Sequence, residues 1–94
     1  MEMDLDTVFA YAKQAAALGD VEAMCGLASC YKEGIATEVD AVKAFEWFKK
    51  AADLGNANAI YNLGVSYAEG EIIKRNLSKA KELFLRAEEL GCEA

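Results

Sequence analysis

The 94-residue sequence contains no histidine and no proline. Without histidine, the chain cannot build the Ser-His or Cys-His pair that activates a nucleophile. The absence of proline suits a chain that is helical almost throughout, because proline breaks helix interiors. No apolar run approaches the ~20 residues of a transmembrane helix. Nor does the sequence hold zinc-ligand spacings or a phosphate-binding glycine loop. We therefore predict a non-enzymatic protein without metal or cofactor and without a membrane span.

Cysteine is also scarce, and its spacing does not suggest cross-linking. The chain has three cysteines, Cys25, Cys30 and Cys92, which is an odd number, and none of them is part of a CxxC motif. Cys25 and Cys30 lie five residues apart on a predicted helix and therefore point to different faces. The N-terminal segment MEMDLD lacks the basic start and apolar core of a signal peptide. We expect reduced thiols and a cytoplasmic location.

Positive charge is in the minority, with 10 Lys and Arg against 16 Asp and Glu and a net charge of −6. This balance argues against nucleic acid, which requires a basic surface, and against anionic membranes. It favours basic or neutral protein partners. The loop residues Lys74 and Arg75, with Lys79, form the one basic spot expected from the sequence. We interpret it as a solvated loop, with contact to an acidic partner as the alternative.

The dominant feature of the sequence is an internal repeat of 36 residues. Residues 19–54 recur as residues 55–90, with 12 of the 36 positions identical. Most of these identities are small residues, apolar residues or glycines, which determine packing and turns. A fixed period of this size is typical of a helical solenoid.

Capping signals divide each repeat into two helices. Asp4, Asp40 and Asn76 fall on the 36-residue period and are good N-caps, and each following helical stretch ends in Leu-Gly. Asp20 and Asn56 are N-cap candidates for the helices between them. We call the helices that follow Asp4, Asp40 and Asn76 type B and the helices between them type A. The predicted B helices span residues 4–18, 40–54 and 76–90, and the predicted A helices span residues 21–33 and 57–69.

The order B-A-B-A-B predicts an all-α fold, an α/α solenoid of about two and a half helix-turn-helix repeats. Short connections require the five helices to pack antiparallel. We expect a single domain over residues 1–94. Because two and a half repeats fall slightly below the usual ~3 needed for stability, we expect a monomer or a weak homodimer.

The last B helix departs from the repeat in its charge. Glu88 replaces Ala16 and Ala52, and Lys81 replaces Phe9 and Phe45. These apolar positions are expected to face the following repeat, so charge on the last helix suits a terminal cap and a complete short array. Phe48 and Phe84 correspond to Ala12, a difference that is explained if both rings pack on the A helix of their own repeat, because the first helix has no A helix before it. Trp47 is interpreted as core, with a partner-binding anchor as the alternative.

The repeated residues resemble the SEL-1-like repeat family, a relative of the tetratricopeptide repeat. The resemblance covers residues 4–91, with departures at Ala28, Ala36, Ile72 and Leu83. It implies a solenoid in which the A helices line the concave side and the B helices the outer side. It also implies an adaptor that binds another protein. Some exported members carry cysteine pairs, at positions that align with Ala52 and Ile60. The motif residues are Asp40, Lys43, Ala44, Trp47, Lys50, Ala51, Ala52, Gly55, Asn56, Ala59, Leu63, Gly64, Tyr67, Gly70, Asn76, Lys79 and Ala80.

By this analogy, the concave face takes the helix A positions between the core residues. Tyr61 is the strongest candidate anchor, because it offers a large contact area at low entropic cost. A solvated face without binding function is the alternative. We interpret Cys25 as a small residue of the groove, with a reactive thiol as the alternative. The predicted partner-binding residues are Glu22, Cys25, Ser29, Lys32, Asn58, Tyr61, Asn62, Val65 and Ala68.

The function expected from these features is a protein–protein interaction module: an adaptor, a scaffold or a small inhibitor that binds a protein or peptide on the concave face. The alternative is a structural subunit of a larger assembly that uses its outer or terminal faces.

Overall fold

The computed structural model describes residues 4–91, and this part of the chain folds into helices and connecting turns without strands. Each helix has 13 residues. The predicted all-α repeat solenoid is confirmed. The helices in chain order are α1 (Leu5–Ala17), α2 (Val21–Glu33), α3 (Ala41–Asp53), α4 (Ala57–Glu69) and α5 (Leu77–Glu89).

Every helix begins at a side chain that accepts a hydrogen bond from a free backbone N–H group of its first turn. Asp4 accepts from Thr7 N–H at 2.7 Å, the shortest of these capping bonds. Asp20 and Asp40 do the same for α2 and α3, and Asn56 and Asn76 do so for α4 and α5. The predicted N-caps are confirmed, and each contributes about 1 kcal/mol to helix stability.

The turns between consecutive helices depend on left-handed backbone. Gly19 has φ +96° and Gly55 has φ +89°, a conformation that residues with a Cβ avoid. These glycines reverse the chain after α1 and α3 within a few residues, so consecutive helices pack against each other. In the loop after α2, Ala36 takes φ +62°, at a position where glycine would be unstrained.

The helices form two layers. Tyr31 of α2 contacts Phe9 of α1 through an edge-to-face ring pair and lies beneath the ammonium of Lys43 of α3. Helix α2 therefore sits between α1 and α3, as α4 sits between α3 and α5. We call the surface of α2 and α4 the A-face, and the surface of α1, α3 and α5 the B-face.

The core lies between these layers and is built on alanine as much as on large side chains. Ala28, Ala51 and Ala59 are fully buried, which lets the helix backbones approach closely. Leu27 and Ile60 are the largest completely buried side chains, and each is 1% exposed. Burial of one such side chain contributes roughly 1.5–3 kcal/mol.

Successive repeats are joined by aromatic pairs that recur along the chain. The ring centroids of Phe9 and Tyr31 are 5.6 Å apart, and those of Phe45 and Tyr67 are 6.4 Å apart. The next equivalent of Phe9 is Lys81, which is exposed. The expectation that these apolar B-helix positions face the following repeat is confirmed.

Within the second repeat, Gly64 permits close contact between α4 and α5. A Cβ added at Gly64 would lie 2.8 Å from the ring of Phe84. The same ring lies 5.2 Å from the ring of Tyr61, centroid to centroid. Phe84 therefore packs on the A helix of its own repeat, as predicted.

Each helix in residues 4–91 falls short of the length and apolar character that crossing a lipid bilayer requires.

Candidate functional site

The predicted binding residues are distributed over the two helices of the A-face. Glu22, Lys32 and Asn58 are exposed, and the other six are half-buried. The α2 residues are Glu22, Cys25, Ser29 and Lys32, and the α4 residues are Asn58, Tyr61, Asn62, Val65 and Ala68.

Side-chain hydrogen bonds join α2 to α4 at two points on the A-face. The Asn56 Nδ2 amide donates to Glu22 Oε1 at 3.2 Å, while Oδ1 of the same Asn56 caps α4. Lys32 Nζ donates to Asn62 Oδ1 at 3.5 Å. The carboxylate and the ammonium are thus positioned by the neighbouring repeat, and each retains bonding capacity for a partner.

Lys32, Asn62 and Val65 come together around a small cavity on the A-face. Its volume is about 60 Å³, and the rings of Phe45 and Phe48 form part of its wall. Since a water molecule occupies roughly 30 Å³ in the liquid, the cavity has room for one small side chain or about two waters. The sequence pattern predicts a shallow groove, and this cavity brings three of the predicted residues together.

Tyr61 and Cys25 occupy equivalent positions in the two repeats but differ in environment. The Tyr61 ring packs against Phe84, so part of its area contributes to packing within the chain. Burial, together with the negative charge of Glu22, raises the pKa of the Cys25 thiol to about 11. Cys25 is therefore protonated at neutral pH and is a weak nucleophile.

The B-face carries two larger clefts that the sequence reading did not identify. The first, which we call the Trp47 cleft, has a volume of about 490 Å³. The second, the Leu83 cleft, lies between α3 and α5 and has a volume of about 180 Å³. The Trp47 cleft is lined by Tyr31, Lys43, Glu46, Trp47, Lys49, Lys50 and Asp53. The Leu83 cleft is lined by Lys49, Ala52, Asp53, Ile60, Leu63, Tyr67, Lys79, Leu83 and Arg86.

These clefts are the same site in successive repeats. Tyr31, Lys43 and Lys50 of the Trp47 cleft correspond at the 36-residue offset to Tyr67, Lys79 and Arg86 of the Leu83 cleft. Lys43 corresponds to Lys79 and Lys50 to Arg86, so both positions keep a positive charge in the second repeat. This retained charge is the feature of the sequence that indicates the surface. The sequence groups Lys79 with Lys74 and Arg75 in one basic spot. In the structure, Lys79 also lines the Leu83 cleft with Arg86 of the same helix and with Lys49, which helix packing brings close from α3.

Trp47 is both part of the packing and part of the surface. Its indole is half-buried and packs against the core, and Lys50 Nζ lies 5.2 Å from the ring centroid. The core interpretation thus describes one side of the ring, and the other side lines the cleft.

The described residues offer little for metal or thiol chemistry. Residues 4–91 contain no group of three carboxylate, thiol or imidazole side chains placed to hold a metal ion. Cys25 and Cys30 are free thiols, and burial also raises the pKa of Cys30. Cys92 lies outside the described residues.

Comparison with known proteins identifies the repeat. The Sel1 repeat family model matches residues 9–20, 21–56 and 57–92. A comparison with curated protein sequences found no match. Among solved structures, the chain is similar to a protective antigen of uropathogenic Escherichia coli strains that displays an SLR fold. The identity is 30% and the TM-score 0.89, over 95% of this chain.

Two further structures are similar over nearly the whole chain. A Sel1 repeat protein from Oxalobacter formigenes is 27% identical with a TM-score of 0.89, over 97% of this chain. Helicobacter pylori cysteine rich protein B is 25% identical with a TM-score of 0.88, also over 97% of this chain. The chain spans 19% of the Escherichia coli antigen, 37% of the Oxalobacter protein and 68% of the Helicobacter protein.

Proposed function

Because the chain belongs to the Sel1 repeat family, whose members are generally protein-interaction modules, we propose that it binds a protein or peptide on its A-face as an adaptor, scaffold or small inhibitor. The family is a helical-repeat scaffold and is generally non-enzymatic. In the proposed arrangement, the A-face is the concave side of the solenoid.

The observation that carries the proposal is the convergence of Lys32, Asn62 and Val65 on one cavity. A donor, an amide and an apolar side chain at one point supply both affinity and orientation for a peptide side chain. Glu22 lies on the same face and is held by Asn56. Glu69 and Glu71 line the cavity beside Lys32, so the A-face offers one cation among several carboxylates, which suits a partner that carries positive charge rather than a strongly acidic one.

The test is a charge exchange that leaves the net charge unchanged. Wild type and the double variant Glu22→Lys, Lys32→Glu are used as baits in lysate of the source cells, and captured proteins are quantified by mass spectrometry. The matched control is Lys81→Glu, Glu89→Lys on α5, at exposed positions outside both B-face clefts. We expect a protein that wild type and the control capture and that the A-face variant loses by about tenfold or more. Capture that is unchanged by the A-face exchange would contradict the proposed site.

Exposed apolar residues on α1 favour the alternative function of a structural subunit. Leu5 is 60% exposed, Val8 41% and Tyr11 67%. Such a patch suits contact with a second protein, or with a second copy in a weak homodimer. If this alternative holds, Val8→Asp should abolish assembly as measured by analytical ultracentrifugation. The A-face exchange Glu22→Lys, Lys32→Glu should leave assembly unchanged.

We also propose a cytoplasmic location. The free thiols of Cys25 and Cys30 support it, since a reducing compartment keeps such thiols unpaired.

A further inference from the structure

We propose that the B-face is a second binding surface, and that its two clefts together hold an acidic, extended segment of another protein. This inference goes beyond the proposed A-face function, since it assigns a different surface and a partner of defined charge.

Charge is the first argument. The two clefts are lined by five cations and only two carboxylates, a local charge of +3 on a chain whose net charge is −6. Within residues 4–91, only Lys79 among these cations has a carboxylate within 4.0 Å, that of the exposed Glu82 at 3.9 Å. The positive charge is therefore available to a partner rather than neutralised within the fold.

The second argument is that aromatic rings hold two of the ammonium groups in place. Lys43 Nζ lies 5.4 Å from the ring centroid of Tyr31, and Lys50 Nζ lies 5.2 Å from that of Trp47. Cation–π contact restricts both side chains, so less rotamer entropy is lost when an anion binds. The amines remain exposed and keep their N–H donors for carboxylates.

The third argument is the continuity of the surface. Lys49 and Asp53 line both clefts, so one cleft leads into the next across α3. Lys43 lies on α3 and Arg86 on α5, so a partner segment that contacts both must extend across α3 from the first cleft to the second.

A polypeptide fits this surface better than nucleic acid. Glu46 and Asp53 lie among the cations and would repel a uniformly charged phosphate backbone. An acidic peptide can place apolar or amide groups beside these carboxylates. The apolar sides of Trp47 and Leu83 complete the surface for such groups.

The experiment uses the single tryptophan as reporter, because Trp47 lines the cleft. The probe is a short fluorescent peptide rich in glutamate and leucine, and its counterpart carries glutamine in place of glutamate. Binding is followed by peptide anisotropy and by Trp47 emission. We expect wild type to bind the glutamate peptide, with a change in Trp47 emission and with weakening as salt is added. The glutamine peptide should bind about tenfold more weakly or worse.

Two double charge reversals locate the site. Lys43→Glu, Lys50→Glu alters the Trp47 cleft, and Lys74→Glu, Lys81→Glu changes the net charge equally at residues outside both clefts. The first should weaken glutamate-peptide binding by about tenfold, and the second by about twofold or less. If Lys43→Glu, Lys50→Glu fails to fold by circular dichroism, Lys43→Gln, Lys50→Gln replaces it with the same expected direction.

Several outcomes would overturn the proposal: no binding of the glutamate peptide, equal binding of the glutamine peptide, equal weakening by both reversals, or tighter binding of a single-stranded oligonucleotide. The A-face exchange Glu22→Lys, Lys32→Glu should leave peptide binding unchanged. In that variant, capture of proteins from lysate tests the proposed A-face function, and binding of the glutamate peptide tests the B-face proposal. The two proposals can therefore fail independently.

Discussion

The A-face and the B-face are built from the same repeat but differ in how their polar side chains are used. On the A-face, Glu22 and Lys32 each bond to a residue of the next repeat, and the cavity between the helices is about 60 Å³. On the B-face, the clefts measure about 490 and 180 Å³, and two lysine side chains lie over aromatic rings instead of pairing with carboxylates.

This difference follows from where the Lys and Arg residues lie in the two helix types. No Lys or Arg lies on α4, and Lys32 is the one such residue on α2. The remaining helical cations all belong to B helices, and all of them except Lys81 lie beside an aromatic ring or line a cleft. One fold thus presents α2 and α4, which carry three glutamates and one lysine, and B-face clefts whose lining has more cations than carboxylates, so we expect the two surfaces to select different partners.

The largest expected effect is a loss of stability, and it compares a buried residue of a B-face cleft with a half-buried residue of the A-face cavity. Ile60 is 1% exposed and lines the Leu83 cleft, whereas Val65 is half-buried. We expect Ile60→Ala to lower the free energy of unfolding by about 2–4 kcal/mol, and Val65→Ala by about 1 kcal/mol. Urea denaturation of both variants measures this. An equal loss would mean that Val65 belongs to the core and not to a binding surface.

Two glycines in the A helices provide the next contrast. Gly64 meets the ring of Phe84, while Gly26 is exposed and would place a Cβ in open space on the A-face. Gly64→Ala should destabilise the chain by about 1–3 kcal/mol through overpacking. Gly26→Ala should stabilise it by about 0.5–1 kcal/mol through helix propensity. Thermal melts of the two variants should shift in opposite directions, and shifts of the same sign would disprove the contrast.

A smaller effect tests the bond between repeats on the A-face. Asn56→Asp keeps the helix cap but removes the amide that donates to Glu22 and adds a second carboxylate beside it. Asn76→Asp, at the cap of α5, is the matched control. We expect Asn56→Asp to be less stable than Asn76→Asp by about 0.5–1 kcal/mol. The difference should shrink as salt is added, and equal stability at low salt would show that the Glu22 contact contributes nothing.

The last expected effect is absent at neutral pH, because it is an alkaline pH dependence at Cys25. Its pKa is raised from 9.0 to about 11, because burial and Glu22 disfavour the thiolate. The raised pKa means that the folded chain holds the proton more tightly than the unfolded chain. The associated stability is complete below about pH 9 and is lost as the pH rises towards 11. Cys25→Ala should remove this part of the alkaline decline in Tm, and an identical decline in both proteins would contradict it.

Much of the fold could be predicted from the sequence, because caps and turns are local. Asp4 and Asn76 bond to residues three positions away, and Gly19 and Gly55 mark turns by their conformation. The aromatic contact of Phe84 was also predictable, since the 36-residue period fixes which helix each ring meets.

The candidate surfaces were less accessible to sequence reading. The bonds of Lys32 to Asn62 and of Asn56 to Glu22 join residues 30 and 34 positions apart, so they depend on helix spacing and rotamers. The cationic clefts were missed for a different reason. The overall charge of −6 hides a local surplus of positive charge, and the sequence places Lys79 near Lys74 and Arg75 but gives no sign that Lys49 of α3 lines the same cleft.

The most direct test of the central claim, that a protein partner is bound on the A-face, is site-specific photo-crosslinking in the source cells. A benzoylphenylalanine replaces Gly26 on the A-face in one variant and Glu46 on the B-face in another, since both positions are exposed. The account predicts a partner crosslinked from position 26 that is lost when Glu22→Lys, Lys32→Glu is added. A partner crosslinked only from position 46, with none from position 26, would contradict it.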